Sequence, residues 1–277
     1  MSTEAAEARI ARLLLVLDAC PGGVGAAARP LGDEAPGLPS AARLAHRLDA
    51  ALGGLFVEDE RLQRVAEWPP SVEIGLHSAS ERPLDGAALL RRLGDLAARS
   101  ERQLAAAAAS QRLPFSFQRA RGSGPLAVIA AALAASAQSD LLWLAGRRSP
   151  AAAARFAGWA APVYLLFSAT PAARRGLLAA WRLAQVEAVP LVLLLPLDGA
   201  ADGHGLDLRP RAEAALAQIG ARAQVECVDG GAEHLHIALG GLHGTALILP
   251  GDAPPGADVQ ALGALLDGVR CPLLLAR

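Results

Sequence analysis

Two stretches of the chain present the same order of features: RGSGPLAVIAAALAASAQSDLLWLAG at residues 121–146 and DGGAEHLHIALGGLHGTALILPG at residues 229–251. Each begins with a glycine turn, continues as an amphipathic helix and a polar break, and ends in a short apolar strand followed by glycine. Short apolar runs bounded by turn residues are typical of strands that are buried on both faces of a sheet. This internal repeat therefore predicts a duplicated α/β fold.

Strands and helices alternate outward from these two stretches over the rest of the chain. The clearest strand is RLLLVL at 12–17, a continuous apolar run that ends in Asp18. The other predicted strands are 55–57, 114–120, 140–144, 163–167, 191–195, 223–228, 246–249 and 271–275, and the main predicted helices are 41–52, 86–111, 125–137, 150–159, 172–187, 211–219, 233–239 and 259–266. Because a strand–helix–strand crossover returns parallel and right-handed, the alternation predicts doubly wound parallel sheets.

The pattern divides the chain into two units. Its 277 residues suffice for about two domains of average size. We predict a first domain at 1–161, with an insertion at 58–85 in which regular structure is doubtful, and a second, abbreviated domain at 162–277. The run VYLLF at 163–167 fits either the last strand of the first domain or the first strand of the second, because no second apolar run lies nearby.

The composition excludes several classes of protein. Hydrophobic residues make up 53% and charged residues 19% of the chain, and the net charge is −1. Disordered chains contain fewer hydrophobic and more charged residues than this chain. A net charge near zero gives no overall electrostatic attraction to nucleic acid or to an anionic membrane. The apolar runs are shorter than the ~20 residues that span a bilayer, and the N-terminal segment lacks the pattern of a signal peptide. Three widely spaced cysteines, Cys20, Cys227 and Cys271, fit a reducing compartment, so we expect a cytoplasmic protein.

Four pieces of the sequence resemble the universal stress protein family: LLLVLDAC at 13–20, LGGLFVEDERL at 52–62, the repeat at 121–146, and CPLLLAR at 271–277. The resemblance covers nearly the whole chain and is weakest at 198–222. It implies two tandem doubly wound units, each with strand order 3-2-1-4-5, that pair through their last strands. In ATP-binding members an acidic residue ends the first strand and a Gly-x2-Gly-x9-Gly-Ser/Thr stretch follows the fourth. The acid reaches the nucleotide or its metal, and the glycines let backbone N–H groups approach the phosphates.

The first half keeps part of this nucleotide motif. Asp18 matches the acidic position and Gly146 the first glycine, but Ser149 stands where the second glycine is expected. Further on, Gly158 comes one residue early and is followed by Trp159 instead of Ser or Thr. Arg147 and Arg148 beside Gly146 keep phosphate binding open, since guanidinium groups bind phosphate well.

The second half departs further from the motif. Ser168 replaces the acid, and Gly251 is followed by Asp252, which supplies a negative charge. Pro254 and Pro255 lack the N–H groups that a phosphate cradle needs. We therefore expect no nucleotide in the second half.

Other residues that carry chemistry also have plainer interpretations. Gly122-Ser123-Gly124 lacks the spacing of a nucleophile elbow, so it is either a tight turn or a loop that permits a ligand or a close helix. His234 and His236 diverge on a predicted helix, and we predict no metal site. The apolar residues of the insertion either pack on their own domain, cover the cleft or form an exposed partner-binding ridge; they are Leu62, Val65, Trp68, Val72 and Ile74.

Together with the resemblance, these observations predict a non-enzymatic, stress-associated binding or regulatory protein with a degenerate nucleotide site and no required cofactor. The alternative is a universal stress protein that binds ATP or AMP in its first half, through Asp18, Val57, Gly122, Gly146, Arg147 and Ser149. A third alternative, a slow phosphohydrolase, has no identifiable catalytic base. The partner is either a small molecule or a protein. The chain is either a monomer with intramolecular domain pairing or a homodimer.

Overall fold

Helices alternate with strands along the described part of the chain, and nine of the strands form one sheet. The computed structural model describes residues 9–18, 37–68, 71–74, 79–144, 161–197, 208–230 and 232–277. The strands are β1 (Arg12–Asp18), β2 (Ala51–Asp59), β3 (Val72–Ile74), β4 (Glu81–Pro83), β5 (Phe115–Gly122), β6 (Leu141–Leu144), β7 (Val163–Leu166), β8 (Leu191–Leu197), β9 (Gln224–Asp229), β10 (Ala246–Pro250) and β11 (Leu273–Ala276). The α-helices are α1 (Leu38–Leu48), α2 (Glu60–Glu67), α3 (Gly86–Ser110), α4 (Pro125–Ala135), α5 (Pro171–Glu187), α6 (Leu208–Ile219), α7 (Ala232–Gly240) and α8 (Val259–Gly268).

The strand order of the large sheet is β5-β2-β1-β6-β11-β10-β7-β8-β9. Every neighbouring pair is parallel except β6 and β11, which are antiparallel. The predicted α/β class is confirmed, and the sheet is mostly parallel. The prediction described two sheets, whereas the structure joins the strands of both halves into a single sheet.

The two halves contribute unequal numbers of strands. Strands β7 to β11 stand in the order 3-2-1-4-5 that the resemblance implied, and the run at 163–167 provides β7, the central strand of this group. The first half contributes β1, β2, β5 and β6 in the order 3-2-1-4. Both edges of β6 are occupied, by β1 and β11, so a fifth strand of the first half has no place beside it. We expected the second half to be abbreviated, but in the described sheet the first half is one strand shorter.

The antiparallel pairing of β6 with β11 sets the direction of each half. Leu144 lies opposite Leu273, and Leu141 lies opposite Ala276. Because all other pairs are parallel, the carboxyl ends of β1, β2, β5 and β6 meet at one edge of the sheet. The carboxyl ends of β7 to β11 meet at the opposite edge. Ligands of such folds bind beyond the carboxyl ends of the strands, so each half has its own candidate edge.

Apolar side chains of the strands alternate between two buried layers. Leu13 and Leu15 belong to one layer, which α1, α3, α5 and α6 cover; Leu14 and Val16 belong to the other, which α4, α7 and α8 cover. Adjacent side chains of a strand point to opposite faces, which explains why the strands have continuous apolar runs. The helices complete the doubly wound arrangement.

The end of α1 differs from the sequence-based prediction. We predicted that the helix 41–52 ends at the double glycine of residues 53–54. In the structure α1 ends earlier, at Leu48, and the next residue, Asp49, adopts φ 53°. The strand β2 already begins at Ala51. Both glycines lie inside β2, at positions where side chains of neighbouring elements approach the β2 backbone closely. A Cβ on Gly54 would lie 2.6 Å from a methyl carbon of Leu104 on α3. Close packing, not chain termination, explains this pair of glycines.

The insertion at 58–85 contains regular structure in its described residues: the helix α2 and the hairpin of β3 with β4. The helix predicted at 150–159 lies outside the described residues. Among the helices that the structure describes, none is both long and apolar enough to cross a membrane.

Arg277 links the two halves through hydrogen bonds beside the β6–β11 pair. The backbone N–H of Arg277 donates to the carbonyl of Asp140 (2.8 Å). The guanidinium of Arg277 donates to the carbonyl of Leu133 (2.7 Å) and to the hydroxyl of the buried Ser136 (2.5 Å). Asp140 in turn accepts the backbone N–H groups of Ala11 and Arg12 (2.7 and 3.2 Å), so this cluster links β1, β6 and β11.

We expect Arg277→Ala to lower the free energy of unfolding by about 1–3 kcal/mol, the range for lost hydrogen bonds to a charged group. Urea unfolding followed by circular dichroism measures this change as a lower midpoint with an unchanged slope. Arg270→Ala removes an exposed arginine of the same half and serves as the control. Equal midpoints for the two variants would contradict the proposed role of Arg277.

Candidate functional site

The first-half candidate residues meet where β1, β2 and β5 end. Asp18 lies opposite Val57 in the pairing of β1 with β2, and Gly122 lies opposite Asp59 in the pairing of β2 with β5. The structure therefore brings the backbones of Asp18, Val57 and Gly122 to one edge of the sheet. The other three predicted site residues, Gly146, Arg147 and Ser149, lie outside the described residues.

Two of these three residues make packing contacts at this edge. The side chain of Val57 is 1% exposed and belongs to an apolar layer. Gly122 is buried, and a Cβ there would lie 3.2 Å from the Cβ of Ala127 on α4. Gly122 thus permits the close approach of a helix, which is one of the two interpretations left open for the Gly122-Ser123-Gly124 loop.

The helix α2 of the insertion follows directly on β2 and contacts the loop after β5. Its N-cap is Asp59, whose carboxylate is buried and accepts the backbone N–H of Arg61 (2.9 Å). The guanidinium of Arg61 also donates to both oxygens of Asp59 (2.8–3.2 Å). Ser123 donates to Glu60 (3.1 Å), and Arg61 lies next to Gly124, which adopts φ +89°. The loop after β5 is therefore in contact with α2.

Charges at this edge are paired within the protein. Glu58 accepts a hydrogen bond from Gln63 (2.9 Å) and lies 3.9 Å from the Nε of Arg121. Glu60 forms an ion pair with Arg64 (3.2 Å), in addition to its contact with Ser123. Arg61 is paired with Asp59 (2.8 Å). In the part of this edge that the structure describes, each of these arginines already faces a carboxylate, which lowers the attraction of the edge for phosphate.

At the opposite edge, an acidic side chain occupies the beginning of α5. Asp252 follows β10 and Gly251, and its carboxylate accepts hydrogen bonds from the hydroxyl of Thr170 (2.8 Å) and the backbone N–H of Ala172 (3.4 Å). Thr170 is the N-cap of α5 and accepts the N–H of Ala173 (3.2 Å). The hydroxyl hydrogen of Thr170 is used on Asp252, so Ser168 donates to Thr170 across their 3.0 Å contact. A carboxylate of the chain therefore lies where a helix N-terminus would attract an anion.

The backbone after β10 offers few N–H groups to a second anion. The N–H of Gly251 donates to the carbonyl of Ala276 in the sheet (2.6 Å). Pro254 and Pro255 have no N–H, and the N–H of Ala257 donates to the carbonyl of Ala253 (3.1 Å). This segment forms a turn that is closed on itself, unlike a glycine-rich phosphate cradle.

A pocket of ≈ 270 Å³ lies beside this network, between the first turns of α5 and α6. Its described lining residues are Phe167, Ser168, Ala169, Arg174, Arg211, Ala214, Ala215 and Gln218. Two of them are arginines, and none is a carboxylate. Phe167, one of these lining residues, is buried. The described lining therefore combines polar and apolar side chains.

No three His, Cys, Asp or Glu side chains of the described residues lie close enough together to hold a metal ion. Burial raises the pKa of the Tyr164 phenol, and the charges of Glu226 and Cys271 raise it further.

Solved structures with a similar arrangement of elements include three different proteins. They are a universal stress protein from Archaeoglobus fulgidus DSM 4304 (11% identity, 95% of this chain and 96% of that chain, TM-score 0.47), a functionally unknown protein from Pseudomonas aeruginosa PAO1 (14% identity, 98% and 94%, TM-score 0.44), and the cytoplasmic domain of a prokaryotic cation chloride cotransporter (11% identity, 96% and 95%, TM-score 0.43). No protein-family model and no curated protein match the sequence. The function therefore has to be argued from the residues of this chain.

Sequence reasoning anticipated some of this geometry. The negative charge of Asp252 and the missing N–H groups of Pro254 and Pro255 were visible in the sequence. The contact between Asp252 and Thr170 was not, because 82 positions separate the two residues. Arg174 and Arg211 were missed as well, since only the packing of α5 beside α6 places them in one pocket.

The position of α2 over the first-half edge depends on Gly86 at the start of α3. A Cβ on Gly86 would lie 2.0 Å from the carbonyl oxygen of Ala66 on α2, whereas a Cβ on Gly94 of the same helix would meet nothing within 4 Å. We expect Gly86→Ala to lower the free energy of unfolding by about 1–3 kcal/mol through overpacking. The control Gly94→Ala should raise it by up to about 1 kcal/mol, because alanine favours the helix.

Urea unfolding of both variants measures these changes, and limited proteolysis of the 58–85 segment reports whether α2 has moved. If Gly86→Ala were as stable and as resistant to protease as Gly94→Ala, the close contact of α2 with α3 would be refuted.

Proposed function

We propose that the protein is a non-enzymatic binding or regulatory protein of the stress-associated type, with a degenerate nucleotide site. The single observation that carries the proposal is the contact of Asp252 with Thr170 and the beginning of α5. The stress-associated role itself rests on the sequence resemblance to the universal stress protein family.

Asp252 supports the loss of a nucleotide site through charge and through hydrogen bonding. A helix N-terminus stabilises one nearby negative charge by about 0.3–1 kcal/mol, and Asp252 already supplies that charge. A phosphate at the same position would bring two like charges together and would have to displace the 2.8 Å hydrogen bond from Thr170. The second half is therefore closed to triphosphates by its own side chain.

A second candidate function, binding of ATP or AMP in the first half, is favoured by one specific observation. The register of β1, β2 and β5 places Asp18, Val57 and Gly122 at the same edge. The proposed site also includes Gly146, Arg147 and Ser149. Against this candidate, the arginines of the described edge are paired with carboxylates, and Val57 is buried in the core.

Titration calorimetry and thermal melting with ATP and magnesium, ADP or AMP separate the two candidates. For the degenerate site we expect no heat of binding and no change in melting temperature at millimolar nucleotide. A rise of several degrees that Asp18→Ala abolishes would favour the second candidate and overturn the first. A rise that survives Asp18→Ala would overturn both.

The role of Asp252 has its own readout in stability. Asp252→Ala removes the acceptor from Thr170 and from the N–H of Ala172, and we expect a loss of about 1 kcal/mol, or roughly 2–4 °C in melting temperature. Asp252→Asn keeps one acceptor and should lose less. Asp95→Ala, an exposed position on α3, is the control. A melting temperature unchanged in Asp252→Ala would remove the support that this contact lends to the proposal.

The pairing of β6 with β11 within one chain supports a monomeric protein. Related single-unit proteins are expected to use such a strand for pairing between chains, whereas here the chain fills this position itself. We expect light scattering coupled to size exclusion to give the monomer mass of 28.4 kDa. A mass near twice this value at micromolar concentration would favour the homodimer instead.

A further inference from the structure

We propose that the N-terminus of α1 and the indole of Trp143 on β6 together bind the carboxylate of a small organic acid. This inference goes beyond the proposed function, because it places a ligand on the opposite face of the sheet from the nucleotide position Val57. Val57 belongs to the layer that α4, α7 and α8 cover, whereas Trp143 and α1 belong to the other layer. The argument rests on a buried donor, on the glycine beside it and on an uncapped helix.

Trp143 is buried and carries an unsatisfied hydrogen-bond donor. It lies in the middle of the sheet, opposite Leu15 of β1 and Leu274 of β11, and is 1% exposed. Among the described residues, its indole Nε1 has no hydrogen-bond partner. An indole nitrogen only donates, and most buried polar groups of folded proteins are hydrogen-bonded, because an unpaired one has lost its water without compensation. A ligand that supplies an acceptor to Nε1 therefore recovers this free energy on binding.

Gly37 leaves the nitrogen-bearing edge of the indole without a side chain over it. A Cβ on Gly37 would lie 3.0 Å from Nε1, 3.1 Å from Cζ2 and 3.2 Å from Cε2 of Trp143. Apart from Gly37 and its chain neighbours, Nε1 is the nearest heavy atom to that position. Gly37 also adopts φ +86°, which most other residues disfavour. The position that a side chain would fill is therefore a cradle beside the unpaired donor.

Gly37 is the N-cap of α1, so the cradle lies at the beginning of that helix. α1 has 11 residues, no side chain caps its N-terminus, and its first turn contains no acidic residue. The N–H groups at the beginning of a helix have no acceptor within the helix, and Pro39 has no N–H, so Leu38 and Ser40 supply the donors of this turn. Together with the helix dipole, these donors favour a negative charge at this place.

The two kinds of donor fit a carboxylate. This group has two acceptor oxygens in one plane, so one oxygen can accept from the indole of Trp143 while the other accepts from the N–H groups of α1. A helix N-terminus is equivalent to about half a positive charge, which matches a monoanion better than a phosphate dianion. Because Trp143 and Leu38 are both buried, only a short carbon chain fits beside them. A small monocarboxylate meets these conditions.

Titration of the isotope-labelled full chain with sodium acetate, followed by NMR, tests the proposal at the indole N–H of Trp143. The four tryptophans give four indole signals, and that of Trp143 is assigned by through-bond correlation and by its loss in Trp143→Phe. We expect this signal to move downfield and to saturate with a dissociation constant of about 10 mM or below, because a new hydrogen bond deshields the proton. Sodium chloride at equal ionic strength is the control.

Two comparison ligands test the chemistry of the site. Acetamide has the shape of acetate without its charge, and sodium phosphate is an anion of different charge and shape; both should bind at least about tenfold more weakly than acetate. Absence of a saturable shift at about 100 mM acetate, tenfold above the expected limit, would overturn the proposal. A response to phosphate or to acetamide as strong as that to acetate would overturn the assignment of a carboxylate.

Substitutions test whether acetate binds at this place. Gly37→Asn tolerates the positive φ and fills the cradle with a side chain, so the response of the Trp143 signal should be lost. Trp143→Phe keeps an aromatic ring without the donor, and acetate should raise the melting temperature of the unaltered protein but not of this variant. Trp181→Phe, which changes a half-buried tryptophan of α5, is the matched control and should keep both responses.

Each of the two test variants examines the site by itself if the other does not fold. An acetate-dependent shift that persists in Gly37→Asn would refute this site, as would a rise in melting temperature that persists in Trp143→Phe. Loss of both responses in Trp181→Phe would refute it as well, because Trp181 lies on α5 and not beside Gly37.

Discussion

The antiparallel pairing of β6 with β11 determines the rest of the architecture. It joins the strands of both halves into one nine-stranded sheet and reverses the direction of one half relative to the other. As a result, the carboxyl ends of the strands of the two halves lie at opposite ends of the sheet, and the two candidate ligand edges cannot combine into one site. The hydrogen bonds of Arg277 to Leu133 and Ser136 stabilise this pairing from the side of the chain end. Because β6 and β11 pair with each other within one chain, neither strand is available for pairing with a second copy of the chain.

At both candidate ligand edges, charged side chains are paired with other groups of the same chain. At the first-half edge, the buried Asp59 binds Arg61, and Glu60 binds both Arg64 and Ser123. At the second-half edge, Asp252 binds the N-cap Thr170 of α5. These contacts stabilise loops and helix ends. Each of them either occupies a group that a nucleotide phosphate would otherwise contact or places a carboxylate that repels such a phosphate.

Local sequence patterns predicted most strands correctly, because continuous apolar runs such as RLLLVL are unambiguous signs of strands buried on both faces. They were misleading at the double glycine of residues 53–54, which is a helix stop by propensity but lies inside β2. The reason is tertiary: Leu104 of α3 occupies the space that a side chain on Gly54 would need. The strand at 163–167 could not be assigned to either half from the sequence, since its neighbours β8 and β10 are selected by sheet pairing.

By itself the sequence determined the α/β class, the position of Asp18 at the end of the first strand, and the missing N–H groups of Pro254 and Pro255 after Gly251. These features depend on local periodicity, on charge and on the absence of N–H groups in proline, all of which are properties of neighbouring residues. Only the tertiary structure decided which strands adjoin, that Asp252 reaches the beginning of α5, and that Arg174 and Arg211 line one pocket. Such contacts join residues far apart in the chain, and their partners are chosen by the packing of the whole sheet and its helices.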